Sequence, residues 1–272
     1  MEYKIQILNG FKLYFDQITN IFKSRYDGEE KINLDALTEK TGLNRRKTRI
    51  ILNFLADIGF SAKRTLKKTS LGQVVYENDC YLEDTGTLWL MHYLGSINEH
   101  LVIWNRFINN VSYLETFTPN DIMKKYEDLK EDISEYTYKH HVRKELSNII
   151  DGYVNQRLSN LGIIDKSEND ENVYTIIKNQ EVPDLIFLAI CISFRDKYFN
   201  GATALEISEI CGAENSPGRV LFLDEYTVRN KLEALKRNRL IELESRGDLD
   251  QIRMGLDTSF EDILMKYYRG EE

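Results

Sequence analysis

Apolar residues recur every three or four positions through most of the chain, which is the pattern of amphipathic helices. Residues 11–26 carry the first such stripe. Asn33 and Asn44 then stand where two further helices would be capped, and Gly59 suits the left-handed residue just past the second of them. Residues 60–69 fit a short β-hairpin. The beginning of the chain is therefore predicted to be a winged helix-turn-helix, in which the hairpin forms the wing.

Three places along the chain share one ending. At residues 55–60, 158–163 and 235–241, a helical pattern closes on Leu, passes Gly or Asn, and continues into an apolar strand start. This recurrence predicts a mainly α fold with small β wings, built from tandem winged helix-turn-helix units joined by helical connectors. The predicted segments are an N-terminal winged helix-turn-helix (1–82), a helical connector (83–117), a second winged-helix-like unit (118–180) and a third (181–272).

Composition limits the class of protein. The 272 residues are 42% hydrophobic and 29% charged, as in folded globular proteins. The longest apolar run, residues 185–192, is too short to cross a bilayer, and the opening residues show no signal-peptide pattern. Three widely spaced cysteines do not form the framework of a disulfide-rich secreted domain. We expect a cytoplasmic protein without membrane contact.

Charge separates the first unit from the rest. Residues 31–70 hold ten Lys or Arg against three Asp or Glu, a local charge of +7 in a chain of net charge −8. One basic face on an acidic body is typical of a local nucleic-acid contact. The windows 118–178 and 203–257 are each net −3, which favours protein contacts or homodimer packing for the second and third units.

The last helix of the first unit carries the candidate recognition residues. A recognition helix presents residues near its N-terminus to the major groove, where Arg pairs with guanine and Asn with adenine. Basic residues in the wing are suited to backbone phosphates. The alternative is a solvated charged face on a structural helix. The predicted DNA-binding residues are Arg45, Arg46, Lys47, Arg49, Asn53, Lys63, Arg64, Lys67 and Lys68.

Other candidate sites are weaker. His140 and His141 are adjacent on a predicted helix, so their rings are expected to point apart and not to share a metal. Asp79, Glu83 and Asp84 form a carboxylate cluster that could hold magnesium in a nuclease, but Asp84 is better explained as a helix cap. No phosphate-binding loop or nucleophile motif is present. We therefore predict no catalytic residue, no metal site and no cofactor.

Two segments resemble a known family. Residues 79–93 (DCYLEDTGTLWLMHY) and 216–225 (SPGRVLFLDE) are similar to the hallmark stretches of an uncharacterised bacterial family, domain of unknown function four thousand and seven. The resemblance covers most of the chain. It implies that the gene for this protein lies beside genes for proteins that resemble phosphoadenosine phosphosulfate reductase. Those proteins are related to enzymes that install sulfur in the DNA backbone, and they are encoded in phage-defence islands. From the residues alone, Ser216-Pro217-Gly218-Arg219 is either a backbone anion site or a tight connection, and we favour the connection.

Together these observations predict a non-enzymatic, DNA-binding accessory protein of a DNA-modification (phosphorothioation-type) or phage-defence system. Its expected partners are double-stranded DNA and phosphoadenosine-phosphosulfate-reductase-like or other defence-island proteins. The alternative is an interaction scaffold that docks a sulfurtransferase-like or nuclease partner without touching DNA. A metal-dependent nuclease that uses the carboxylate cluster is the least supported hypothesis.

Overall fold

The structure, a computed structural model, describes residues 3–27, 32–63, 67–167, 170–246, 249–255 and 258–271. The chain is mainly helical with two small antiparallel sheets of three strands each, which confirms the predicted class. It divides into two compact units, residues 1–177 and 178–272. Within the described ranges, no helix combines the length and the apolar character needed to span a membrane.

The first unit contains eight α-helices in its described residues: α1 (Phe15–Tyr26), α2 (Leu34–Thr41), α3 (Arg45–Asp57), α4 (Ser70–Asp79), α5 (Thr85–Ser96), α6 (Val102–Val111), α7 (Pro119–Lys124) and α8 (Arg143–Val154). It also contains 3₁₀ turns at Glu127–Glu131 and Arg157–Leu161 and a π-helical turn at Thr137–Val142. Its strands are β1 (Thr116–Phe117), β2 (Ile164–Lys166) and β3 (Tyr174–Ile176), in the order β1-β3-β2.

The caps predicted for the first helix-turn-helix are present. The Asn33 side chain accepts the Ala36 N–H at 2.8 Å, and the Asn44 side chain accepts the Lys47 N–H at 2.9 Å. The predicted wing is not seen as a hairpin of strands: no strand is formed in residues 60–63 or 67–69, which are joined by one backbone hydrogen bond from Ala62 N–H to the Lys67 carbonyl (3.0 Å). Residues 64–66 lie outside the described part of the chain.

A buried aromatic cluster forms the centre of the first unit. The rings of Phe54 on α3 and Trp104 on α6 are stacked with centroids 6.2 Å apart. The Trp104 indole N–H donates to the Tyr153 hydroxyl at 2.9 Å, and Nδ1 of His92 lies 2.5 Å from the same hydroxyl. These hydrogen bonds satisfy polar groups that would otherwise be costly to bury. A β-carbon at Gly95 would meet the Trp104 ring at 2.8 Å, so this helix position needs glycine.

An N-terminal segment, residues 3–14, ties separate helices of the first unit together. The Lys4 ammonium lies 2.6 Å from the Asp57 carboxylate at the end of α3. The Ile7 N–H donates to the Glu145 carboxylate on α8 at 3.0 Å. Contacts this distant in sequence fix α3 and α8 within one body.

The second unit contains five helices among its described residues: α9 (Asp184–Tyr198), α10 (Ile207–Gly212), α11 (Pro217–Val220), α12 (Glu225–Arg237) and α13 (Phe260–Tyr268). Its strands are β4 (Ala204–Glu206), β5 (Glu242–Arg246) and β6 (Leu249–Arg253), in the order β4-β6-β5. Helix α9 is buried along most of its length and packs against α13. The hairpin predicted near Gly247 is present as β5–β6, while its turn residues lie outside the described ones.

The two sheets belong to the same local topology. In each, a helix leads to a short strand, further helices follow, and an antiparallel hairpin returns so that its last strand lies between the other two. The helix endings also agree in part. The left-handed residue is Gly59 (φ 78°) after α3 and Arg239 (φ 58°) after α12. The next amide bonds back to the Leu55 carbonyl at 2.7 Å and to the Leu235 carbonyl at 3.0 Å, respectively.

Candidate nucleic-acid interface

Helix α3 has one exposed stripe, and that stripe is basic. Its buried residues pack against the rest of the first unit and occupy most of the helix circumference. The exposed side chains recur at positions i, i+1, i+4 and i+8 of the helix, so they lie along one narrow face. These residues are Arg45, Arg46, Arg49 and Asn53. The structure therefore brings together four of the nine predicted DNA-binding residues.

The position of α3 follows from local sequence signals. Asn44 fixes its first residue, and Gly42 (φ 69°) makes the turn after α2, where its N–H bonds to the Thr38 carbonyl. Leu37 is the buried residue of α2 and is fully shielded from solvent. A short capped helix, a glycine turn and a longer capped helix are the parts of a helix-turn-helix.

The arginines of the stripe differ in their local partners. The Arg45 guanidinium bonds to the Asp35 carboxylate at 2.6 Å, and both side chains are exposed. Such a surface pair contributes little energy and is easily exchanged for another anion. Within the described residues, Arg46 and Arg49 have no ion pair or hydrogen-bond partner. These two side chains are the cations most available to a ligand.

Lys47 lies apart from the stripe. Its ammonium is 5.2 Å from the centroid of the Phe11 ring and 5.7 Å from that of Tyr14. These are cation–π distances, and they turn the lysine toward the N-terminal segment. Both rings are exposed, at 40% and 43%. Sequence reasoning missed this aromatic pair, because residues 11 and 14 fell within a stripe predicted to be helical and buried.

Among the predicted DNA-binding lysines that follow α3, Lys63 and Lys68 have partners within the protein. The Lys63 ammonium lies 3.2 Å from the buried Asp57 carboxylate, which Lys4 also neutralises. The Lys68 ammonium donates to the Tyr26 carbonyl at 2.9 Å, where it stabilises the C-terminal end of α1. Lys67 is exposed. Arg64, which was also predicted to contact DNA, lies outside the described residues.

In the carboxylate cluster of Asp79, Glu83 and Asp84, the two aspartates accept backbone hydrogen bonds. Asp79 accepts the N–H groups of Glu83 and Asp84, each at 3.0 Å, and Asp84 accepts the N–H of Thr87 at 3.0 Å as the cap of α5. The preferred interpretation of Asp84 is therefore confirmed. Among the residues the structure describes, no group of three His, Cys, Asp or Glu side chains is placed to hold a metal ion.

The motif beginning at Ser216 is a packed connection, as favoured from the sequence. Ser216 is buried and caps α11 by accepting the Arg219 N–H at 3.3 Å. A β-carbon at Gly218 would lie 2.6 Å from the Cys211 carbonyl oxygen and 2.9 Å from its Cα. The glycine thus lets α11 approach α10 closely.

Two solved structures share this fold. A crystal structure of magnesium-ion-bound SspB aligns with a TM-score of 0.77 at 14% identity, covering 96% of this chain and 87% of that chain. A second SspB crystal structure aligns with a TM-score of 0.72 at 14% identity, covering 96% and 85%. At this identity the likeness concerns the fold alone.

Comparison by sequence gives a complementary result. No curated protein matches the chain significantly. The model of a family described as "Protein of unknown function (DUF4007)" matches residues 55–268, which include both segments that resembled it. Because the match spans most of the chain, the protein belongs to this family.

Proposed function

We propose that this protein is a non-enzymatic accessory factor of a bacterial DNA-modification (phosphorothioation-type) or phage-defence system, and that it contacts duplex DNA through α3. The observation that carries the proposal is the exposed stripe on α3, where Arg46 and Arg49 have no partner among the described residues. Asn53 continues the same face. Guanidinium and carboxamide groups are those that read base edges in the major groove.

The topology supports a winged-helix plan. A winged helix consists of a helix, a strand, further helices and a returning hairpin, and the elements around each of the two sheets follow that order. We propose that the segment beginning with α1 is a third copy, in which residues 60–63 and 67–69 take the place of the wing without forming strands. In such a copy, α3 is the helix that enters the groove.

Local charge supports DNA as the ligand. The basic stripe lies in the window 31–70, whose net charge is +7, while the whole chain is −8. The acidic total disfavours a general coating of the protein by DNA, so a duplex would be directed to a local basic face such as this one. The stripe precedes the family-matched residues 55–268, and the proposal therefore rests on this chain's own side chains.

A salt titration tests the contact. Binding of a fluorescently labelled duplex would be measured by anisotropy between about 50 and 200 mM salt, with plain and phosphorothioate DNA. We expect Arg46→Ala/Arg49→Ala to weaken binding and to reduce the log–log salt slope by about one unit for each phosphate that is no longer neutralised. The matched control is Lys266→Ala/Arg269→Ala at the C-terminal end of α13, which removes the same charge from the second unit and should bind like the wild type.

Two results would overturn the proposal. One is wild-type protein without salt-dependent duplex binding at low ionic strength. The other is equal binding by the α3 variant and the control. Incubation of supercoiled plasmid with magnesium tests the non-enzymatic part, since an SspB structure of the same fold carries that ion. Plasmid nicking that follows the purified protein would contradict it.

A further inference from the structure

A second exposed cationic face lies on the first unit, at the start of α8. We call it the α8 face and define it by Tyr136, His140, His141, Arg143 and Lys144. The helix follows α7 and precedes the β2–β3 hairpin, so it has the same place in its local topology as a recognition helix. The acidic total of residues 118–178 conceals this face in the sequence.

A π-helical turn gathers the aromatic rings of the α8 face. The centroid of the Tyr136 ring lies 4.5 Å from that of His140 and 5.7 Å from that of His141. A turn closed by i→i+5 bonds places both i+4 and i+5 beside residue i, so the two adjacent histidines both lie near the Tyr136 ring. Single π turns are frequent at functional sites.

The carboxylates nearest in sequence do not cancel the charge of this face. Glu135 forms an ion pair with Lys139 at 2.6 Å, and Glu145 is buried against the N-terminal segment. Arg143 is exposed and donates to the uncharged Asn120 side chain at 3.0 Å. Lys144 is also exposed. Two exposed cations therefore follow the aromatic group along the chain.

Arg143 separates two open grooves. One, of about 610 Å³, runs between α8 and the sheet, where Lys166 and Tyr174 line it. The other, of about 630 Å³, runs toward α7 and is lined by Lys124 and Tyr138. Each groove also holds one carboxylate, Asp151 in the first and Glu127 in the second, and these pair with Lys12 and Lys130. The Arg143 guanidinium thus lies between two grooves that each contain a lysine and a tyrosine. A flexible single strand can follow a surface with two grooves more closely than a rigid duplex can.

We propose that the α8 face binds a single-stranded segment of DNA. A base stacks on the Tyr136 ring, which is 66% exposed, and the flanking phosphates contact Arg143 and Lys144. Stacking on exposed aromatic rings beside cations is how proteins hold single strands without reading their sequence. This site is separate from the duplex contact proposed for α3, and neither depends on the other.

The test compares single-stranded and duplex oligonucleotides of equal length by anisotropy on the full chain. We expect Tyr136→Ala and Arg143→Ala/Lys144→Ala each to weaken single-strand binding about tenfold or more. Tyr136→Phe keeps the ring and should bind like the wild type. Lys266→Ala/Arg269→Ala again controls for charge. Unchanged circular dichroism and melting temperature show that each variant is folded.

The outcome separates the two proposals. Loss of single-strand binding in the α8 variants, with duplex binding retained, supports the α8 site. Single-strand binding that is absent in the wild type, or unchanged in Tyr136→Ala, overturns it. Arg46→Ala/Arg49→Ala should show the opposite pattern, so failure of the α3 proposal leaves the α8 result interpretable.

Discussion

The carboxylate of Glu145 accepts a hydrogen bond of 3.0 Å from the backbone amide of Ile7. Its second oxygen, Oε2, has no hydrogen-bond partner among the described residues. Burial raises the pKa of this carboxyl to about 7, opposed by the Ile7 amide and by Lys4. The link between the N-terminal segment and α8 therefore holds a carboxyl group that titrates near neutral pH.

Replacement of this carboxyl should change how stability depends on pH. The folded protein holds the proton more tightly than the unfolded chain, with a pKa of about 7 against 4.5. The stabilisation is therefore complete below about pH 4.5 and is lost as the pH rises to 7. Glu145→Gln keeps an acceptor oxygen without the charge. We expect it to exceed the wild type by up to about 3 kcal/mol at pH 8 and to match it near pH 4.5.

Urea unfolding at the two pH values measures this effect. The exposed Glu131→Gln serves as control for loss of one negative charge. A Glu145→Gln variant whose advantage is the same at both pH values would show that the buried carboxyl is not the titrating group.

Gly59 and Arg239 both have a left-handed backbone just past a helix, so Gly59→Ala and Arg239→Gly should change stability in opposite directions. A β-carbon at Gly59 would lie 3.6 Å from the Leu71 side chain, an ordinary contact, so the strain of Gly59→Ala is conformational. We expect a loss of about 1–2 kcal/mol. At Arg239 the strain is already present, so Arg239→Gly should raise stability, by up to about 1 kcal/mol. Thermal melting of both variants checks the signs, and two shifts of the same sign would refute the shared motif.

Asp84 distinguishes a cap from a metal ligand. Asp84→Ala should cost about 1 kcal/mol, because the Thr87 amide loses its acceptor, whereas Asp84→Asn should be nearly neutral. Chemical denaturation measures both. Plasmid cleavage by the wild type that both variants abolish would instead support the nuclease hypothesis.

Gly218 tests the packed connection between α10 and α11. Gly218→Ala would place a β-carbon 2.6 Å from backbone oxygen, and we expect a loss of about 1–3 kcal/mol. Gly212→Ala is the control, since, apart from its chain neighbours and the backbone of its own helix, no atom of the described residues lies within 4 Å of its added carbon. Equal melting temperatures for the two variants would mean that the backbone around Gly218 moves to accept a side chain at little cost, which would contradict the tight packing of α11 on α10.

Local signals predicted the capped ends of α2 and α3 well, and they failed where distant packing decides. Asn33, Asn44 and Gly59 mark their helix ends because capping depends on near neighbours. Residues 137–161 are divided into π, α and 3₁₀ segments, and no local sequence signal marks where one segment ends and the next begins. At the third shared ending α12 stops at Arg237, and the left-handed conformation falls on Arg239 and not on a Gly or Asn.

The candidate site shows the same division. The stripe on α3 followed from helical periodicity alone, so Arg46 and Arg49 were placed correctly on an exposed face. The partners of Lys63 and Lys68 were not predictable, since Asp57 and the Tyr26 carbonyl reach them only through tertiary folding. Periodicity places a side chain on a face of its helix but cannot identify its neighbour.

The course of residues 3–14 limits how this protein can be dissected. Lys4 forms an ion pair with Asp57 at the end of α3, and the Ile7 amide donates to the Glu145 carboxylate. The Lys12 ammonium lies 2.7 Å from the Asp151 carboxylate. A fragment ending after the first helix-turn-helix would leave these anchors without their counterparts and expose the apolar underside of α3. A fragment for binding or spectroscopic work should accordingly keep the whole compact unit, residues 1–177.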